Sequence, residues 1–113
     1  MANAILETTV HSEGAATRIE LRGDIDGSAR EVLNGAYADA AGASASAVTL
    51  DFTNVDYINS TGIALIVGLL ARARADSCAI SARGLSPHYR EIFEITRLSD
   101  FMTIIADSEG DAA

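Results

Sequence analysis

The sequence predicts a single α/β domain built on a mixed sheet of four or five strands with three helices. Three observations carry that expectation. Several short segments alternate apolar and polar residues, three longer ones are apolar at helical spacing, and one strand–helix–strand succession should lay its two strands parallel with a right-handed crossover. At 113 residues the chain has room for one domain and one core, with little left for a second.

Ala4 to Val10 reads as the first strand, and His11 to Ala15 as the turn after it. Thr17, Ile19 and Leu21 then alternate with Arg18, Glu20 and Arg22, the period of a strand with one face buried. The two strands should form an antiparallel hairpin. Gly23-Asp24-Ile25-Asp26-Gly27 breaks the alternation. Ser28 is placed to start a helix, with Glu31 completing a capping box. That helix carries Val32, Leu33, Ala36 and Tyr37 and ends in the small-residue loop from Gly42 to Ala47. Val48, Leu50 and Phe52 mark a third strand, and a loop from Asn54 to Asn59 leads into a second helix over Thr61 to Ala75. Arg72 and Arg74 lie in its last turn, where cations suit the helix dipole. Ser77 to Ala82 is a fourth strand. Ser86-Pro87 opens a third helix as N-cap and first residue, with Tyr89, Ile92, Phe93 and Ile95 as its buried stripe. Leu98 and Phe101 should pin the turn after it. Thr103 to Ala106 reads as a last short strand. The core is expected over about 4–106, with 107–113 a flexible acidic tail.

Composition narrows the function. The formal net charge is −8 and every basic residue is arginine, which disfavours nucleic acid and anionic lipid as partners. Cys78 is the one cysteine, so an internal disulfide is ruled out and a reducing cytoplasm is the expected setting. Its apolar neighbours make it read as a small buried hydrophobe. The longest apolar run, Gly62 to Ala71, is about half a membrane span, and the N-terminus does not read as a signal peptide, so membrane insertion is not expected.

Reactive groups are sparse. His11 and His88 lack metal-ligand spacing, there is no GxxxxGK[ST] loop and no GxSxG elbow, and lysine is absent. The expectation is a protein without catalysis, cofactor or metal. What remains is Asn59-Ser60-Thr61-Gly62, a polar cluster between a strand and an unusually apolar helix. Ser60 is placed to cap that helix, and by residue chemistry alone a capping role is enough to account for it. A hydroxyl there can also take a phosphate at modest structural cost, since the added charge meets the positive end of the dipole. In the helix itself, Ile63, Ile66, Val67 and Leu70 share a stripe at about 100° per residue, while Leu65 and Leu69 point nearly opposite. Those two leucines are either covered by a neighbouring helix or exposed as part of a partner surface. Gly68 within the helix costs about 1 kcal/mol relative to alanine, which suggests close packing there.

Asp51-Phe52-Thr53-Asn54-Val55-Asp56-Tyr57-Ile58-Asn59-Ser60-Thr61-Gly62-Ile63-Ala64 resembles the D-[LF]-x-x-V-x-[FY]-[IM]-D-S-[ST]-G-[LI]-[GA] signature of STAS-domain anti-sigma-factor antagonists. Gly23-Asp24-Ile25-Asp26 is similar to that family's G-x-[LI]-D turn, and Glu91 to Leu98 to its C-terminal helix. The resemblance runs from about Ile5 to Ile105 and implies a single STAS-like domain. It implies that the unphosphorylated protein binds an anti-sigma factor, often itself a serine kinase, and so frees a sigma factor. The kinase would phosphorylate the serine matching Ser60, with Thr61 the alternative acceptor, and a phosphatase would restore the binding form. Asp26 would lie beside the phosphorylated loop. The expected partner-binding residues are therefore Asp26, Asn59, Thr61 and Gly62, with Leu65 and Leu69 from the helix analysis. Asn59 stands where the family usually carries aspartate; it removes a charge and can both donate and accept. Arg97 stands where the family often has glycine. Two other functions compete: a constitutive STAS adaptor subunit of a lipid-transport ATPase, and a small ligand- or nucleotide-binding sensor.

Overall fold

The computed structural model describes residues 5–13, 16–42 and 46–105. The expected start of the first strand at Ala4, Gly14 in its turn, residues 43–45 of the next loop, Ala106 and the tail 107–113 fall outside them. Five strands, β1 (Glu7–Glu13), β2 (Ala16–Ile25), β3 (Ala47–Ile58), β4 (Ala79–Arg83) and β5 (Thr103–Ile104), form one sheet in the order β1-β2-β3-β4-β5. β1 and β2 pair antiparallel, as the hairpin reading requires, and the other three pairs are parallel. Three helices, α1 (Arg30–Gly42), α2 (Ser60–Ala75) and α3 (Pro87–Ile95), complete the domain.

Alternation decides which face is covered. Thr17, Ile19 and Leu21 of β2, Val48, Leu50 and Phe52 of β3, and Ile80 and Ala82 of β4 are all buried. The register sets Ile19 beside Leu50 and Leu50 beside Ala82, so they make one apolar surface for the helices. The opposite face is polar. There Arg18 bonds Asp51 at 3.5 Å and His11 bonds Glu20 at 3.1 Å. His11 is thus in β1, not in a turn; its pairing with Arg18 carries the strand through Glu13.

Two strands run further than the alternation suggests. β2 continues through Gly23, Asp24 and Ile25, and β3 through Asn54 to Ile58, where a loop is expected from the sequence. The two extensions pair with each other, with register shifts between Glu20 and Arg22 and between Gly23 and Asp24. Each shift breaks the period of two, and Gly23 absorbs the irregularity at φ 110°. That is why the segment reads as non-strand.

Helices α1 and α2 lie side by side on the covered face of the sheet, α1 over β1 and β2 and α2 over β2, β3 and β4. The buried residues of α2 are Gly62, Ile66, Leu69, Leu70 and Ala73. Leu69 is 2 % exposed and Val67 46 %, so the stripe is rotated away from Val67 and towards Leu69. The cause is α1, which covers that flank. The guanidinium of Arg72 sits 4.9 Å over the Tyr37 ring, and the Tyr37 hydroxyl donates to Asp76 at 2.7 Å. Gly68 meets no neighbour that would crowd a Cβ, so close packing does not explain it. In α3, Phe93 is fully buried edge-to-face against Phe52 at 5.7 Å, while Ile95 is 71 % exposed and leaves the expected stripe. Phe101 is likewise exposed, and Leu98, with Met102 beyond it, pins the following turn.

Candidate functional site

The site is made where β2 and β3 end side by side. Ile25 pairs with Ile58, so Asp26 and Asn59, the next residues in each strand, emerge at the same level of the sheet. The Asn59 N–H donates to the Ile25 carbonyl at 3.2 Å and ties the two exits together. Both residues turn the chain by capping the helical segment that each strand leads into. Asp26 accepts from the Ser28 N–H at 2.9 Å and the Ser28 hydroxyl at 2.6 Å, capping a 3-10 turn, Gly27–Ala29, that leads into α1. Asp26 therefore replaces Ser28 as the cap; the Ser28 hydroxyl is bent back onto that carboxylate.

The start of α2 corrects the sequence reading in the same way. Its cap is Asn59, whose side-chain oxygen accepts from the Gly62 N–H at 2.8 Å. Ser60 is the first helical residue, and its side chain is exposed. Asparagine is as good a cap as aspartate, so the amide preserves the geometry and changes only the charge. Gly62 is buried against β2: a Cβ there would lie 2.0 Å from the Ile25 carbonyl oxygen. Thr61 is exposed and reaches back across the gap, with its methyl 3.5 Å from where a Cβ on Gly27 would be.

Asp26, Asn59, Thr61 and Gly62 are thus brought together around Ser60. Leu65 and Leu69 are not. Both turn inward on the flank beside α1, Leu65 partly buried and Leu69 wholly so, which is the covered alternative. The exposed side of α2 carries Ser60, Ala64, Val67 and Ala71 instead. Further along, Val67, Ala71, Arg74, Thr96 and Phe101 border a mostly apolar groove of about 310 Å³. Phe101 is 54 % exposed there, with the Arg74 guanidinium 5.6 Å over its ring.

Sequence reasoning missed two neighbours of the site. Tyr57 is exposed one residue before Ile58, because the register shifts destroy the alternation that would have placed it. Tyr89 accepts from the Ile58 N–H at 3.0 Å through its hydroxyl, a contact between elements with no local signal. Among the described residues there is no cluster of three or more His, Cys, Asp or Glu side chains able to hold a metal, and no helix long and apolar enough to cross a membrane. The chemistry on offer is that of exposed hydroxyls at a helix N-terminus.

Comparison with known proteins bears on the family and the fold. A family model described as "Mlab, STAS domain" matches residues 8–105. An anti-sigma-B factor antagonist of Listeria monocytogenes is 38 % identical over 55 residues, 49 % of this chain and 48 % of that protein. The chain spans about half the length of the curated relatives it matches. Among solved structures, an anti-sigma factor antagonist from Mycobacterium paratuberculosis superposes with a TM-score of 0.75 at 17 % identity, covering 95 % of this chain and 92 % of that one. The phosphorylated form of the Bacillus cell fate determinant SpoIIAA does so with a TM-score of 0.67 at 19 % identity, covering 94 % and 97 %. At such identities the likeness is one of fold.

Proposed function

This chain belongs to the STAS-domain family, and from that premise we propose that it is an anti-sigma-factor antagonist switched by phosphorylation of Ser60. In this reading the unphosphorylated protein binds an anti-sigma factor that is also a serine kinase and so releases a sigma factor in the cytoplasm. Phosphate on Ser60 ends the complex, and a phosphatase restores it. The protein then works by binding, without catalysis or a cofactor of its own.

One observation carries the proposal: Asn59 caps α2, which leaves the exposed Ser60 hydroxyl without that structural duty. A phosphate there meets the positive end of the helix dipole and the first-turn N–H groups, so the fold tolerates it. The Ser60 side chain itself changes from neutral to a charge of about −2. A partner seated over Ser60 would feel that change directly, and Asp26 nearby adds a fixed negative charge. Val67 on the exposed side of α2 supplies the apolar anchor such a partner needs, in place of Leu65 and Leu69.

Ser60→Asp should weaken binding to the anti-sigma partner at least tenfold, with a melting curve close to that of the wild type. Ser60→Ala should bind normally and take no phosphate. Binding is read by calorimetry and phosphate by mass spectrometry after incubation with the partner kinase. Phosphate found on Thr61 alone would move the switch one residue along. A second reading is a constitutive STAS adaptor subunit of a lipid-transport ATPase. It predicts that Ser60→Asp leaves partner binding unchanged.

A further inference from the structure

Beyond Asp51, β3 loses its neighbour on one side. Its pairing with β4 ends at Asp51 and Arg83, whereas β3 itself runs on to Ile58. Gly84 then turns the chain at φ 76° and presses against β3: a Cβ there would lie 2.7 Å from the Thr53 nitrogen. The last stretch of β3, which delivers Asn59 and Ser60, therefore has β2 on one edge and α3 on the other.

Consecutive amides of an extended chain point to opposite edges. The Asn59 N–H points to β2 and is taken by the Ile25 carbonyl at 3.2 Å. The Ile58 N–H points the other way, where a strand would offer a carbonyl, and the Tyr89 hydroxyl accepts it at 3.0 Å. Tyr89 is itself fixed. Its N–H donates to the Ser86 cap at 3.3 Å, and Phe93, one turn on, anchors α3 in the core against Phe52. Between β3 and α3 lies a cleft of about 100 Å³, lined in part by Val55, Ile58, Leu85 and Tyr89. Packing there is incomplete, so the hydrogen bond rather than close contact spans the gap at the end of β3.

We propose that Tyr89 is a positioning residue for the Ser60 segment: its hydroxyl stands in for the missing strand and fixes where β3 ends and α2 begins. The meaning of this for signalling rests on Ser60 being the switch; the positioning itself does not.

Tyr89→Phe removes the hydroxyl and keeps the ring. In ¹⁵N-labelled protein, the Ile58 amide proton should move upfield and exchange at least tenfold faster. The amides of Asn59, Ser60 and Thr61 should shift with it, while those of Leu50 and Ile66 keep wild-type exchange rates. The proposal is overturned if Ile58 is unaffected, if Ile58 responds alone while Ser60 and Thr61 do not, or if Leu50 and Ile66 accelerate equally, which would mean general destabilisation. None of these signals requires Ser60 to accept a phosphate, so their failure is distinct from failure of the phosphoacceptor assignment.

Discussion

At Gly62 the lack of a side chain lets α2 begin against the end of β2. A methyl group would lie 2.0 Å from the Ile25 carbonyl oxygen, and backbone on both sides leaves nothing flexible to yield. Gly62→Ala should therefore lower the unfolding free energy by about 3 kcal/mol, at the upper end of the cost of overpacking. Urea unfolding measures it, and a loss below about 1 kcal/mol would show that the two elements can separate cheaply. The motif around Gly62 is legible in the sequence, but the reason for the glycine is not, because the atom it makes room for belongs to a distant strand. The cap was hidden in a related way. Asn59, Ser60 and Thr61 can all cap a helix, and only the Asn59 bond to Ile25 selects among them.

Among the elements, α2 was the easiest to find and the hardest to orient. A run of aliphatic residues announces a helix, yet apolar side chains all around it leave the periodicity little contrast. The phase is set by α1, through Tyr37 against Arg72 and Asp76. Two aspartate substitutions test it. Leu69→Asp buries an unpaired carboxylate in the core beside α1 and should cost several kcal/mol, enough to unfold a marginal domain. Val67→Asp lies on the outer side and should cost about 0.5 kcal/mol, while sharply reducing partner binding. Thermal melts beside a binding assay decide it; comparable melting temperatures for the two variants would contradict the observed phase. The strands divide similarly. The regular halves of β2 and β3 are plain in their alternation, and the irregular halves that form the site are not, since the shifts that shape the site erase the pattern.

For the whole molecule, alkaline pH is the informative axis. Tyr37 is held well above its ordinary value of 10.0, first by burial and then by its hydrogen bond to Asp76. Burial, with Asp76 nearby, also raises Cys78 above 9.0. Both groups keep their protons in the folded state, so their contribution is complete below the unfolded values and is lost as pH rises past them. Melting temperature should be flat from about pH 7 to 8.5 and fall increasingly steeply above about pH 9, as the unfolded chain sheds protons that the folded one retains. In the Tyr37→Phe, Cys78→Ala double variant the fall should be shallower, and parallel curves would contradict the assignment. The mixed α/β architecture was readable from the succession of elements; the strand order needed the structure. That order, β1-β2-β3-β4-β5, matches the order along the chain. A ribosome therefore releases each strand when the neighbour it must join has already emerged, and no gap in the sheet waits for a later arrival. Synthesis and assembly can proceed in step, with the fewest exposed edges for other chains to find.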